Sequence, residues 1–270
     1  MKKVFLLFMS VAALMSCSKD KDDTGPEVKN KVYTIFQETN TGTKNLYGLE
    51  FTGGYSWDGI NIPDKIHIAS TSSDNQWLPV NIIKYDNGKI IIKSSNIFDQ
   101  TVSVYELENG KIIESMIYLT TEGYNNNQAW ASYKYAYNSN GYLWKVIASD
   151  VSFFELIYEK GNIAAIKRTY VNTTTCNLSY SDKKRIPYAD FISGIFKQGN
   201  NNFSYILGFH ESALYESGYF GKISNDRLES VSFNDGKENK LTYEYNDLGE
   251  IKTVTKNSYD GIFKYHFQYK

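Results

Sequence analysis

Cysteine, histidine and proline are scarce in this chain, and each scarcity excludes something. Two cysteines in 270 residues, Cys17 and Cys176, are too few for a disulfide framework. The three histidines, His67, His210 and His266, fall in separate stretches. With no HExxH spacing and no Cys/His cluster, no zinc site is written in the sequence. No G-x-S-x-G elbow and no phosphate-cradling glycine loop is present either. A basic excess is also missing: 29 Lys and Arg stand against 30 Asp and Glu. Nucleic-acid binding calls for a basic face, so that class of partner is excluded. The apolar run near the start, Val4 to Leu14, falls short of the roughly 20 residues a spanning helix needs. Only 4 prolines interrupt the chain, which leaves long stretches free to pair as strands.

Aromatic residues are what the chain has in quantity. They make up 16% of it, and 23 of them are Tyr. Tyr, Phe, Thr, Val and Ile suit pleated, half-buried surfaces, so the chain reads as all-β. The clearest unit is Tyr133 to Ser149, YKYAYNSNGYLWKVIAS. Asn-Gly between alternating runs is a strong hairpin signal, because a type I′ turn needs positive φ at both central residues. A two-residue loop at Asn140-Gly141 sets Tyr137 opposite Trp144 and Tyr135 opposite Val146 on one face. Ala136 with Lys145 and Lys134 with Ile147 then share the other. One hairpin is marginal alone, so this unit needs neighbours.

Looser copies supply them. Each has Tyr, an acid or Asn, one or two residues, Gly, any residue, Ile or Leu, two residues, and an apolar residue. Tyr85 to Gly88 with Ile90, and Tyr158 to Gly161 with Ile163 and Ile166, carry one spacing. Tyr137 to Gly141 with Leu143 and Val146, and Tyr245 to Gly249 with Ile251 and Val254, carry the other. A further copy turns at Asn109-Gly110 before Ile112. The two spacings predict two loop types, the longer one with a bulge. Earlier, Val32 to Phe36, Tyr47 to Phe51 and Lys65 to Ala69 read as strands. The last strand alternates Phe263, Tyr265, Phe267 and Tyr269 with Lys264, His266, Gln268 and Lys270. Residues 172–216 break the pattern: Pro187 suits a helix start, and one or two short helices are expected between 187 and 215.

The first residues read as an address. Lys2 and Lys3 precede the apolar run, and Leu14-Met15-Ser16-Cys17 resembles the lipobox of bacterial lipoproteins. That resemblance implies cleavage between Ser16 and Cys17 and lipidation of Cys17. It divides the chain into a signal peptide (1–16), a polar lipidated linker (17–31) expected to be disordered, and one β domain (32–270). Loss of Lys2 and Lys3 with the leader takes the basic count from 29 to 27, against 30 acids. Several acyl chains hold a protein stably at a bilayer without a spanning helix. Ser18 after the Cys resembles the outer-membrane sorting pattern of diderm lipoproteins. Ser18 to Asp23 resembles the acidic surface-export tract of Bacteroidales lipoproteins, interrupted by Lys19 and Lys21. The expected location is therefore the outer membrane, on its periplasmic face or at the cell surface.

The Tyr-x-x-x-Gly units resemble the tyrosine-aspartate repeats of RHS-type shell proteins. A wider resemblance covers roughly residues 80–270. It rests on the Tyr/Gly hairpins, then Leu178 to Lys184 with Pro187-Tyr188, then Gly218-Tyr219-Phe220-Gly221-Lys222-Ile223-Ser224-Asn225. These are similar to an uncharacterised family of Bacteroidales lipoproteins, a domain of unknown function with a porin-like fold. Ile223 and Asp226-Arg227 depart from the basic and Lys-Asn-Leu-Pro-like run of that family. The resemblance implies an antiparallel meander closing into a barrel, with the helical excursion capping or plugging it. It supplies no catalytic residue. Charges along several strands (Lys134 and Lys145, Glu244 and Lys252) oppose a lipid-facing band, so the barrel is expected to be porin-like in shape and not membrane-spanning.

No catalytic residue, metal or cofactor is expected. His210-Glu211 could form an acid/base pair, but a structural His is the reading adopted. A carboxylate pair of glycosidase type is set by fold and not by spacing. The aromatic surplus has two readings. Trp130, Tyr133, Tyr135, Tyr137 and Trp144 either pack as a core ladder or line a cavity facing a ligand. The functional expectation is a non-catalytic outer-membrane lipoprotein holding an apolar ligand or lipid in its barrel. A surface glycan-binding lipoprotein and a structural envelope component are the alternatives.

Overall fold

The fold is taken from a computed structural model that describes 32–38, 44–50, 56–57, 60–61, 65–71, 80–86, 88–94, 101–148, 152–170, 173–195, 207 and 209–269. The leader, the linker and Cys17 lie outside the described residues. Four strands and a two-stranded ribbon come before the repeats. They are β1 (Val32–Glu38), β2 (Lys44–Glu50), the ribbon β3 (Ser56–Trp57) and β4 (Ile60–Asn61), then β5 (Lys65–Thr71) and β6 (Val80–Asp86). Next come β7 (Lys89–Ser94), β8 (Val102–Glu108), β9 (Lys111–Tyr118) and helix α1 (Thr121–Asn125). The central strands are β10 (Ala131–Tyr137), β11 (Leu143–Ala148), β12 (Phe153–Glu159), β13 (Asn162–Thr169) and β14 (Thr173–Lys184). An excursion carries α2 (Ala189–Ser193) and α3 (Phe209–Glu216). The chain ends with β15 (Asp226–Phe233), β16 (Glu238–Tyr245), β17 (Ile251–Ser258) and β18 (Gly261–Tyr269).

From β6 to β18 each strand pairs antiparallel with the next, an unbroken meander. β1, β2 and β5 complete the ring: β5 pairs with β6, β2 with β5, β1 with β2, and β1 with β18. The result is a closed barrel, and the early strands belong to the same sheet as the repeats. The excursion, expected to hold one or two short helices, has two. α1 was not legible: its Thr120 cap accepts from the Gly123 amide at 2.9 Å, a local bond in a stretch with little periodicity.

The two repeat spacings do mark two loop types. At Asn109-Gly110 and Lys160-Gly161 both residues are left-handed, φ 50° and 74°, and 50° and 83°, as a type I′ turn requires. At Asn138 to Gly141 only the glycine is left-handed, φ 85°. There the Asn138 carboxamide accepts from the Asn140 and Tyr142 amides, and Asn246 does the same for Leu248 and Glu250. The Asn140-Gly141 turn is therefore not the type I′ loop the dipeptide suggested, because Asn138 stabilises a longer one.

A second device is shared by both types. The outgoing strand bulges one residue after its first apolar position, leaving Ile113, Trp144, Ala164 and Lys252 unpaired. Alternation alone cannot put residues i and i+3 on one face, but a bulge between them does. Leu143 with Val146, Ile163 with Ile166, and Ile251 with Val254 all point inward, each at most 5% exposed. The i, i+3 spacing of the motif is the sequence trace of that bulge. The inner wall forms one continuous apolar cluster that includes Tyr135, Tyr265 and Phe267. A smaller cluster (Ile91, Val104, Tyr118, with Tyr124 of α1) lies on the outside of β7–β9.

Candidate functional site

The interior is where the sequence pointed, and the chain itself occupies much of it. After β14, α2 and α3 pack into the same cluster as the wall, through Ile192, Ile195, Leu214 and Tyr215. The strap Tyr219–Asp226 then leads out to β15, crossing the turn ends of three successive hairpins. The Ile112 amide donates to the Tyr219 carbonyl at 2.9 Å, and the Lys222 amide to the Gly141 carbonyl at 3.0 Å. The Ile163 amide donates to the Ser224 hydroxyl at 3.2 Å. The Asn162 carboxamide accepts from the Asn225 and Asp226 amides, both at 2.9 Å. Each of these three turns thus holds one step of the strap. Gly221 makes a close backbone crossing: it is buried at φ 81°, and a Cβ there would meet the Gly141 carbonyl oxygen and the Tyr137 ring.

Charges fasten the helices. Arg185, at the entrance, makes a two-pronged ion pair with Glu216 at 2.7 and 2.6 Å and reaches Asp190 at 3.1 Å. Glu216 also accepts from the Tyr188 amide at 2.9 Å, holding that bulky residue at φ 64°. Burial alone would lower the Arg185 value, but Glu216 and Asp190 outweigh it and hold the guanidinium charged. Burial pushes Asp190 above the usual carboxylate range, with Arg185 pulling back. On the far side the Tyr105 hydroxyl donates to Glu211 at 2.7 Å. Burial, then the Glu211 charge, drives that phenol well above its ordinary value. Asn239 of β16 donates to the Ser193 carbonyl at 2.8 Å. These contacts are ties between an inserted segment and its wall; none arranges a nucleophile beside a base. Among the described residues no three His, Cys, Asp or Glu side chains are grouped to hold a metal.

The five aromatics expected to face a ligand divide. Tyr133, Tyr135 and Tyr137 share the inward face of β10. Tyr135 meets the Phe220 ring at 5.1 Å and bonds Ser115 at 2.9 Å. Tyr137 donates to the Ile112 carbonyl at 2.6 Å. Both touch the strap or the wall. Trp144 is on the outside, 38% exposed, which corrects the expected register: the bulge pairs Tyr137 with Leu143 instead. Trp130 is 52% exposed before β10. The remaining hairpin pairs, Tyr135 with Val146, Ala136 with Lys145 and Lys134 with Ile147, are as read. Cys176 is buried in the core. His266 lies on the outer wall, bonded to Glu38 at 3.1 Å. His210 and Glu211 are both on α3, and Glu211 is engaged by Tyr105.

The outer wall has two characters. Across β16–β18 the outward rows are Lys240 with Asn257, Thr242 with Thr255 and Lys264, and Glu244 with Thr253 and His266. Across β9–β13 they include Ile113, Trp144, Ile147 and Phe153. Among the described residues no helix is long and apolar enough to cross a membrane.

Comparison with known proteins agrees with this architecture. A family model described as "Domain of unknown function (DUF4595) with porin-like fold" matches residues 67–260. A crystal structure of a porin-like protein from Bacteroides uniformis ATCC 8492 is similar, with a TM-score of 0.62 and 13% identity. The match covers 88% of this chain and 98% of that one. A porin-like protein from Bacteroides vulgatus ATCC 8482 gives a TM-score of 0.50 at 12% identity, covering 88% and 99%. No curated protein matches.

Proposed function

The chain belongs to this family of unknown function with a porin-like fold, and from that premise we propose that it is a non-catalytic envelope protein whose barrel is a rigid, self-filled platform. A lipid on Cys17 holds it to the outer membrane. The observation that carries this reading is the strap: Tyr219 and Phe220 cover the aromatic face of β10 that a barrel ligand would have used. A lumen ligand touching Tyr135 or Tyr137 would first have to displace them. The polar rows of β16–β18 argue against a spanning barrel, which needs an unbroken lipid-facing band. The lipobox-like Leu14 to Cys17 supports anchoring. Exposed Trp130, Tyr170 and Tyr259 lie in three different connections and Tyr245 at the end of β16, which weakens the glycan-stacking alternative.

Native mass spectrometry of the purified chain tests the platform reading. A mass equal to the polypeptide plus its lipid is expected; a stoichiometric co-purifying apolar molecule would restore the carrier reading. Metabolic labelling with a clickable fatty acid tests the anchor. Label and membrane flotation should both vanish in Cys17→Ala, and persistence of either would refute it.

A further inference from the structure

The outer wall of β9–β13 carries an apolar patch, whereas the outward rows of β16–β18 are polar. Trp144 is 38% exposed, Ile147 39% and Ile113 36%. Phe153 lies directly opposite Ile147 in the ladder. The Lys145 ammonium stands 5.6 Å from the Trp144 ring and 4.1 Å from the Phe153 ring, so one cation and two rings form a single cluster. Lys134 pairs with Ile147, and Lys145 is followed across the ladder by Glu155 and Lys167. Glu114 faces Lys134. Three ammonium groups against two carboxylates leave the patch net positive around an apolar centre.

We infer that this face rests on the surface of a lipid bilayer with anionic headgroups. Trp and Lys together suit the membrane–water boundary, where a ring has an apolar body and a polar edge and an ammonium reaches the phosphates. Tether length selects the bilayer over other occupants. β11 lies eight strands from β1 around the ring, and a sixteen-stranded ring is roughly 30 Å across. The fifteen residues 17–31 reach at most about 50 Å. A lipid on Cys17 therefore lets the far wall come down on the bilayer that holds it. The same tether keeps the local lipid concentration high, so a shallow patch is sufficient. The inference rests on the anchored reading above and adds which side of the barrel meets the membrane.

The test uses the full chain with Trp57, Trp77 and Trp130 changed to Phe, leaving Trp144 as the one indole. It is reconstituted into phosphatidylethanolamine/phosphatidylglycerol vesicles with or without brominated acyl chains. Brominated lipid should lower Trp144 emission at least two-fold. The triple change Lys134→Glu, Lys145→Glu, Lys167→Glu should abolish that difference while flotation persists. Equal emission in both vesicles overturns the membrane face whether or not the protein floats. If equal emission also depends on protein concentration, a second copy covers the patch instead, which equally overturns it. Flotation lost in Cys17→Ala reports the anchor alone, so the two readings fail separately.

Discussion

Replacing Gly221 by Ala isolates the crossing of strap and wall. Gly221 sits at φ 81°, and a Cβ would land on the Gly141 carbonyl oxygen and 3.0 Å from the Tyr137 ring. That oxygen cannot retreat freely. It accepts from Lys222, and the Gly141 amide is fixed to the Asn138 carbonyl at 2.9 Å. Left-handed backbone costs Ala roughly 1–2 kcal/mol, and overpacking a filled site adds about 1–3 kcal/mol. Gly88→Ala is the matched control, at φ 80° with nothing within 4 Å of its Cβ; it carries the backbone cost only. The difference, about 1–3 kcal/mol, corresponds to roughly 2–12 °C in Tm for a domain of this size. Thermal and urea unfolding of both variants read it. Equal destabilisation by the two substitutions would mean that the strap does not press on the hairpin turn.

Three further outcomes follow from the same geometry. Leu143→Ala, at an inward position with no exposure, should cost about 2–5 kcal/mol, while Trp144→Ser next to it on the bulge should stay within roughly 0.5 kcal/mol; urea midpoints in the reverse order would contradict the bulge. Arg185→Met leaves buried Asp190 and partly buried Glu216 unbalanced and should cost about 3–5 kcal/mol. Asp190, already raised by burial, then rises further, so the variant should lose stability as pH climbs from acid toward neutral; a flat pH profile would refute the clasp. Burial lifts Tyr105, Tyr135, Tyr137 and Tyr215 above their ordinary value, and lifts Tyr269, with help from Glu250, to about 12. A raised phenol contributes stability that is complete below pH 10 and is lost as pH passes through the folded value. Absorbance at 295 nm should therefore show this buried set ionising only as circular dichroism collapses.

The sequence revealed the tiles and hid what they hold. Period-two strands are local, so β1, β2, β5, the β10–β11 hairpin and the aromatic inward face of β18 were readable from alternation. The repeat motif even carried its bulge, as the i, i+3 spacing of Leu143 and Val146, but a spacing does not say which residue is expelled. Trp144 was therefore assigned to the wrong face. The family resemblance implied a helical excursion capping or plugging the barrel, but the contacts that hold it there were out of reach for a different reason. Tyr219, Phe220 and Gly221 meet Ile112, Tyr135 and Gly141 across some eighty to a hundred residues of chain, and no periodicity encodes such a contact. Closure of the ring through β1 and β18 is equally non-local. The run Gly218 to Asn225 entered the sequence reading only among the residues that carry the family resemblance, and it is the strap.

Hydrogen–deuterium exchange of the strap tests the central claim most directly. In a filled platform, peptides covering Leu214 to Asn225 are as protected as β9–β11, because the amides of Lys222, Asn225 and Asp226 are bonded to the hairpin turns. Strap and wall are expected to exchange together, on the timescale of global opening. Exchange of the strap within seconds over a still-protected wall would contradict it and would leave the barrel interior open to a ligand.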